Sequence, residues 1–462
     1  MVTYHFPPVG GVGVERSLKH ATYLPEHGWE PVVVAPRNSG YRIVIPESVE
    51  RIPPRTEVHR TTTVEPAHVR RAVARLLGRG TPAGTASTAA RPPRGSDRPG
   101  GLRSVLNRAW ALAVPLVLFP DEQLLWAPGA IRAGRAVHEQ HPVDLIYSSS
   151  PPVSGHLAAA VLSDLLGVPW VADFRDPWMG NAFVSRMPAV HRFLQRHLER
   201  SIVVRADRVL FATSTWRDRY ARRYPNHADR FLHVPNGYDP ADLDVGHGPE
   251  PPEPGPRTLI YAGSIYGERE LSVFLDGVAL ALHREPSLRD RLRVQFVGML
   301  NPRNREVADA RLDELAPIVS FLGLRPRPEV IAMERAAHAG LILIADDPGR
   351  DADVNAKLYE YIGLDLPVLA VAPPGETRST LEELAWGIGV DPNPEAIADG
   401  ILSMVALPPP NRDADPEGRY ERRALTARLA GILNDVVGPG VADVADQISV
   451  GGASTDRRPT PR

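Results

Sequence analysis

The sequence predicts an α/β protein made of two successive units of parallel sheet with helices on their faces. Three observations carry that expectation. Short apolar runs alternate with helical stretches along most of the chain, the pattern of repeated βαβ units. A Pro/Gly stretch at 246–257, GHGPEPPEPGPR, breaks the alternation and reads as an interdomain linker. After it the alternation restarts, and 462 residues leave room for two domains of ordinary size.

Taken in order, VTYHF at the start reads as a first strand, and its abrupt beginning leaves room for a true N-terminus further upstream. WEPVVVAP (29–36), VDLIYSSS (143–150), VPWVADF (168–174) and DRVLFATS (207–214) read as buried strands. VERSLKHATYL (14–24), GHLAAAVLSDLLG (155–167) and AVHRFLQRHLERSIV (189–203) read as the helices between them. In the second unit the strands are RTLIYAGS (257–264), RVQFVGM (293–299), IVSFLGL (318–324), AGLILIA (339–345) and LPVLAVA (366–372). RYERRALTARLAGILNDVV (419–437) is a strong helix. Residues 80–101, rich in Gly, Pro, Ala and Arg without an apolar period, are expected to be disordered, as is the tail from Gly438.

Composition excludes several classes. A net charge of −2 gives no signal for nucleic acid, so no nucleic-acid partner is expected. Cysteine is absent, which removes disulfides, thiolate metal sites and cysteine nucleophiles. The N-terminus lacks the charged and apolar regions of a signal peptide, and no apolar run reaches about 18 residues. These features predict a soluble, cytoplasmic protein.

Ligands of open α/β sheets bind beyond the carboxyl ends of the strands, so loops after strands are the candidate sites. PPVGGVGVER (7–16) opens a helix after the first strand, with Gly11 and Gly13 allowing a ligand close to the backbone; a plain tight turn is the alternative. It lacks the G-x-G-x-x-G spacing and the acidic residue after the next strand, which argues against a dinucleotide oxidoreductase. SSSPPVSGHLAAA (148–160) places His156 in the first turn of a helix, where the helix N-terminus would keep it neutral and able to bond a hydroxyl. VADFRDPW (171–178) offers Asp173, Arg175 and Asp176 as acceptor-side groups, or as a self-satisfied ion-pair turn; a metal pair lacks a third ligand. YAGSIYGERE (261–270) gives Gly263, Ser264 and Arg269 as a phosphate loop.

The last candidate concerns lysine. The chain has 51 arginines and 2 lysines, Lys19 and Lys357. Lys357 follows Asp353 and Asn355, either of which can cap the helix, and precedes Glu360 by three residues. A surface Lys–Glu pair gives no reason to avoid arginine, whereas an ammonium at a helix N-terminus suits a diphosphate and a nearby carboxylate suits ribose hydroxyls.

These residues together resemble glycosyltransferase family 4, the retaining GT-B type. The most specific pieces are FPPVGGVGVERSLKHATYLPEHGWEPVVV, PDEQLLW, IYSSSPPVSGHLAA, PWVADFRDPW, VPNGYD, YAGSIY and KLYEYIGLDLPVLAV, in this order and covering most of the chain outside 80–101 and the tail. The resemblance implies an acceptor-side Rossmann-like domain at 1–245, the linker at 246–257, a nucleotide-sugar-binding domain at 258–410, and a helix in 411–437 crossing back to the first domain. It implies a nucleotide-diphosphate sugar as donor, a glycan or lipid-linked acceptor, and no cofactor. Glu360 matches the second glutamate of the family's E-x7-E element, which grips the ribose, and His156 matches the histidine contacting the donor sugar. The glycine loop faces donor phosphates or acceptor. Two positions depart: Ala352 stands where the first glutamate belongs, so that acidic position is lost or taken by Asp351 or Asp353, and Ser264 stands where a phosphate arginine belongs. Lys357 and Arg269 are then the charges left for the leaving group. Asp351-Ala-Asp353 spells a metal-binding D-x-D, but it lies too late in a two-domain chain for that role, so a metal-free reaction is expected. The rival reading is a nucleotide-sugar-binding protein that has lost catalysis.

An anionic membrane surface is a further expected partner. From Arg70 to Arg108 the chain carries nine arginines and one acid, Asp97, and the apolar run AWALAVPLVLF (109–119) follows. That run suits an interfacial segment, or else a buried core helix.

Overall fold

In the computed structural model the described residues are all but 42, 69–118, 181–183, 185–186, 245–254, 266–270, 317, 348, 408–412 and 439–462. The expectations for 80–101, for the arginine-rich stretch and the apolar run as far as residue 118, for most of the linker, for Arg269 and for the tail beyond Gly438 fall outside them.

The first unit is a seven-stranded sheet: β1 (Val2–Thr3), β2 (Val33–Pro36), β3 (Val58–Thr61), β4 (Ile146–Ser150), β5 (Trp170–Phe174), β6 (Arg208–Phe211) and β7 (Phe231–His233). Its order is β3-β2-β1-β4-β5-β6-β7. The second has six strands: β8 (Arg257–Ala262), β9 (Leu292–Val297), β10 (Val319–Gly323), β11 (Ala339–Leu343), β12 (Val368–Val371) and β13 (Gly387–Val390), in the order β10-β9-β8-β11-β12-β13. Every pairing is parallel. Both orders reverse beside the first strand of their unit, which places crevices at the carboxyl ends of β1/β4 and β8/β11.

Helices cover both sheets: α1 (Val12–Tyr23), α2 (Ala127–Gln140), α3 (Ser154–Leu166), α4 (Ala189–Arg205) and α5 (Ser214–Arg223) in the first unit. The second has α6 (Leu271–Arg284), α7 (Pro302–Leu315), α8 (Arg327–Ala336), α9 (Ala356–Gly363), α10 (Glu376–Leu384) and α11 (Pro394–Ala406), and α12 (Arg422–Val437) ends the described chain. The strands read from sequence are the interior ones, apolar because both faces are covered, and one edge strand, β10, whose run IVSFLGL is apolar enough to mark it. The strands β3, β7 and β13 were not legible. They are edge strands of three or four residues, and VHRT and GIGV keep most of their side chains half-buried, so neither a continuous apolar run nor an alternation marks them.

The helix α12 packs on the first unit. Leu425, Leu429 and Leu433 are in its lower face, with Leu429, Ala430 and Leu433 sharing a cluster with Leu24, Tyr147, Val171 and Leu210. At about 1.5–3 kcal/mol for each fully buried leucine, this docking is a large part of what fastens the chain's end. His20 Nδ1 and Thr426 Oγ1 lie 2.9 Å apart, and Trp29 Nε1 donates to Asn434 Oδ1 at 2.9 Å.

A buried ion pair fixes the base of the first unit. Arg16 on α1 donates to both oxygens of Asp173 at the end of β5, each at 2.8 Å, and to the carbonyls of Val234 and Pro235 where the chain leaves β7. Tyr147 and Ser149 hydroxyls complete the carboxylate's shell at 2.7 and 3.1 Å. Burial by itself would raise Asp173; the Arg16 guanidinium outweighs it and holds the group at about 2.

Candidate functional site

The two crevices face each other across a cleft, and named contacts close its side. Glu376, the first residue of α10, accepts from Ser214 N at 2.8 Å, Ser214 Oγ at 2.9 Å, Thr215 N at 2.9 Å and Thr215 Oγ1 at 2.6 Å. A carboxylate of the second unit thus caps α5 of the first, where orphan N–H groups and the helix dipole favour an anion. Arg219 on α5 pairs with Asp351. Ala352 is 1 % exposed and packs into the first unit's core with Trp178 and Trp216.

On the second unit's rim, α9 starts beyond β11. Asn355 is its cap, its side chain accepting from Lys357 N at 3.1 Å. Lys357 Nζ then bonds two carboxylates, Glu334 Oε1 from α8 and Glu360 Oε1 from its own helix, both at 2.9 Å. Arg327, at the start of α8, reaches both oxygens of Glu360 at 2.9 and 3.0 Å. Burial pushes the Glu334 carboxyl up to about 8 against the pull of Lys357, so it holds its proton at neutral pH. Burial also acts upward on Glu360, but Lys357, the bond from Glu334 and Arg327 hold it ionised, at about 2. Two cations therefore face one anion, and the cluster carries a surplus positive charge at pH 7. Glu334 and Arg327 were not found from sequence: their only signal was two charges in an ordinary amphipathic helix.

The phosphate loop after β8 is less open than its sequence suggests. Gly263 N donates to Val297 O and Ile265 N to Met299 O, each at 2.8 Å, so two of its amides continue the pairing with β9. Ser264 Oγ accepts from Met299 N at 3.3 Å.

On the first unit's rim, Gly11 precedes α1 with φ +99°, a left-handed conformation costly for other residues, and has no side-chain cap. Gly13 leaves room for Arg175, whose Nη1 donates to Gly13 O at 2.8 Å; a Cβ there would lie 2.2 Å from that nitrogen. Arg175 also meets Asp176 at 3.3 Å, and Asp176 keeps 51 % of its side chain exposed. Beside them is His5, unmarked in sequence, which burial and then Arg175 lower to about 3.

Two expected site residues do not reach the cleft. Asp173 is fully buried and its oxygens are taken by Arg16, Tyr147 and Ser149, so of the acceptor-side trio only Arg175 and Asp176 stand at the rim. The self-satisfied turn is also corrected: Asp173 pairs across the fold, not with Arg175. His156 is likewise 0 % exposed, bonded to Ser148 Oγ at 2.8 Å and set against the Phe174 ring at 4.7 Å. It lies enclosed in the sheet–helix core. Its neutrality comes from burial, which lowers it to about 3; the α3 N-terminus itself is capped by Asp121, which accepts from Ser154 N at 2.9 Å. Asp351 and Asp353 each pair with an arginine, Arg219 and Arg350. Among the described residues no group of three or more His, Cys, Asp or Glu is placed to hold a metal ion.

Two parallel Rossmann-type sheets meeting across a cleft, tied by a returning C-terminal helix, define the class: this is a GT-B glycosyltransferase fold. Within it, residues 10–237, nearly all of the first unit, match the model of the glycosyl transferase 4-like domain. A glycosyltransferase from Rickettsia africae superposes with a TM-score of 0.57 at 12 % identity, covering 95 % of this chain and 98 % of its own. The sucrose-phosphate synthase of Thermosynechococcus elongatus gives 0.55 at 16 % identity, covering 94 % and 97 %. HepE of Anabaena in complex with UDP gives 0.54 at 12 % identity, covering 97 % and 98 %. At these identities the likeness is one of fold. No curated protein matches the chain by sequence.

Proposed function

We propose that the protein transfers a sugar from a nucleotide-diphosphate sugar to a glycan or lipid-linked acceptor, with retention and without a metal ion. The observation that carries this is the α9 cluster: an ionised Glu360 suited to ribose hydroxyls, beside a helix N-terminus and a surplus cation suited to a diphosphate. It stands where an open α/β sheet takes its ligand. HepE, of the same fold, is seen with UDP and with UDP-glucose, which supports a nucleotide-sugar donor here. Lys357 and the α9 N-terminus, with Arg269 after β8, would offset charge on the departing diphosphate. Gly11 and Gly13 open the opposite rim, where Arg175 and Asp176 would orient the acceptor hydroxyl.

Binding of UDP, ADP and GDP sugars by thermal shift, followed by measured release of nucleoside diphosphate, tests the reading. Binding without any turnover, with or without added acceptors, would favour the inactive binding protein; the observation on that side is Ala352, a methyl buried in the first unit where the family's pattern has a carboxylate. Turnover that chelator abolishes and magnesium restores would refute the metal-free form. The anomeric configuration of the product, read by NMR, decides retention.

A further inference from the structure

The helix α4 buries Ile202 and Val203 in its last turn, but its first three turns have their polarity reversed. Its buried face carries His191, Gln195 and Glu199 at successive four-residue steps. Gln195 accepts from Trp178 Nε1 at 2.6 Å and donates to Pro120 O at 2.8 Å. Glu199 accepts from Met179 N at 2.8 Å, from Tyr224 Oη and Arg223 Nη1 at 2.9 Å, and from Tyr220 Oη. The outer face carries Val190, Phe193, Leu194 and Val204, which are 61, 57, 43 and 38 % exposed. Their spacing of i, i+3, i+4 and i+14 keeps them on one stripe. Arg196, Arg200 and Arg205 are exposed beside it, and Glu199, the helix's one acid, is buried. The neighbouring α3 adds Val161 and Leu165, 39 and 61 % exposed, and Arg205 comes within 3.8 Å of Asp164 between them. Single exposed apolar residues are ordinary, but a patch across two adjacent helices is not.

We propose that this face of α3 and α4 docks on an anionic lipid bilayer. Apolar side chains at the centre with arginines at the edge suit the boundary between acyl chains and charged headgroups. A second copy suits it less: an isologous contact would set two arginine rows against each other with Asp164 as the exposed acid in reach. The α4 N-terminus follows β5, so Val190, Phe193 and Leu194 stand at the cleft end of the helix, and docking there would bring a lipid-linked acceptor to the cleft mouth. Phe119, the last residue of the apolar run after the arginine-rich stretch, places its ring 6.2 Å from His191 at the same end. The docking face goes beyond the transfer reaction and stands whether or not that reaction is the right one.

The test is co-sedimentation of the full chain with phosphatidylcholine vesicles with and without phosphatidylglycerol. The expected result is binding to the anionic vesicles that weakens as salt rises. Phe193→Glu/Leu194→Glu should lower the bound fraction at least about tenfold, and Arg196→Glu/Arg200→Glu should lower it about tenfold by removing the attraction to anionic lipid. Both variants alter outward side chains, so melting temperature and nucleotide binding should stay at wild-type values; loss of nucleotide binding in the wild type would refute the transfer reading alone. The proposal is overturned by no binding to anionic vesicles at low salt, or by binding that Phe193→Glu/Leu194→Glu leaves intact. A dimer in light scattering that Phe193→Glu/Leu194→Glu dissolves would overturn it too, assigning the face to a second copy.

Discussion

Lys357 Nζ lies 2.9 Å from Glu334 Oε1, a side chain with no exposed surface. The chain's other lysine repeats the arrangement: Lys19 Nζ lies 2.6 Å from Asp239 and 2.9 Å from Asp242, with 9 % of its side chain exposed. In a protein that otherwise uses arginine, each lysine sits between two carboxylates. An ammonium is compact and has three rotatable donors, so it fits between two carboxyl groups where a planar guanidinium needs more room. The scarcity of lysine therefore marks a packing constraint first, and the diphosphate contact proposed for Lys357 would come on top of it.

Lys357→Ala should accordingly weaken both folding and ligand binding. Loss of its two charge-assisted bonds is expected to cost about 1–3 kcal/mol of stability in urea unfolding. Affinity for a nucleoside diphosphate should fall about tenfold or more by calorimetry. Lys357→Arg should recover little of either. Unchanged affinity in the alanine variant would place the diphosphate elsewhere.

Glu334 sets an alkaline limit. Its folded pKa is raised to about 8 from an ordinary 4.5, so the folded state binds a proton the unfolded state releases. Stability is then lost as pH rises from about 4.5 through 8, and the same ionisation removes the cluster's surplus positive charge. Diphosphate affinity measured from pH 6 to 9 should fall through about 8, and Glu334→Gln should flatten that profile while binding normally at pH 7.

The acid limit comes from buried neutral histidines. His5, His20 and His156 are each lowered to about 3 from 6.5, in each case by burial first. The unfolded chain takes up protons near 6.5 and the folded one does not, so stability falls as pH drops below about 6.5, by up to about 1.4 kcal/mol per unit for each histidine. His156→Phe should lessen that slope in unfolding at pH 5 and leave the donor's KM near wild type. A loss of turnover with an unchanged slope would return His156 to the reacting centre.

Glu376→Ala removes four hydrogen bonds between the units. The expected outcome is a larger radius of gyration in solution scattering and a raised donor KM, with each unit's secondary structure unchanged. Glu376→Gln should recover part of the effect, because an amide oxygen still accepts from the α5 N-terminus. A wild-type radius in both variants would show that other contacts hold the cleft.

Asp173 and Asp176 should separate cleanly. Asp173→Ala strands Arg16 in the interior and should cost about 3–5 kcal/mol. Asp176→Ala removes a half-exposed side chain and should leave stability within about 0.5 kcal/mol while lowering transfer to the acceptor. Restoring the family's glutamate with Ala352→Glu should destabilise by several kcal/mol instead of improving activity, because that position is buried against the first unit's core.

The sequence by itself determined the two α/β units, the interior strands and the edge strand β10, the strong final helix and the cap of α9, because each rests on contacts within a few residues or on a short apolar run. It also marked Lys357. What it did not contain was the partner of each charge. Glu334 is 23 residues from Lys357, Asp173 is 157 from Arg16, and Glu376 is 162 from Ser214. Those pairings exist only once the sheets are ordered and the units face each other. The same folding buried Asp173 and His156, whose motifs look exposed in the linear chain, and turned the apolar stripe of α4 outward. Local sequence sets which side chains share a face, and only the packing of distant elements decides whether that face meets water, a carboxylate or the core.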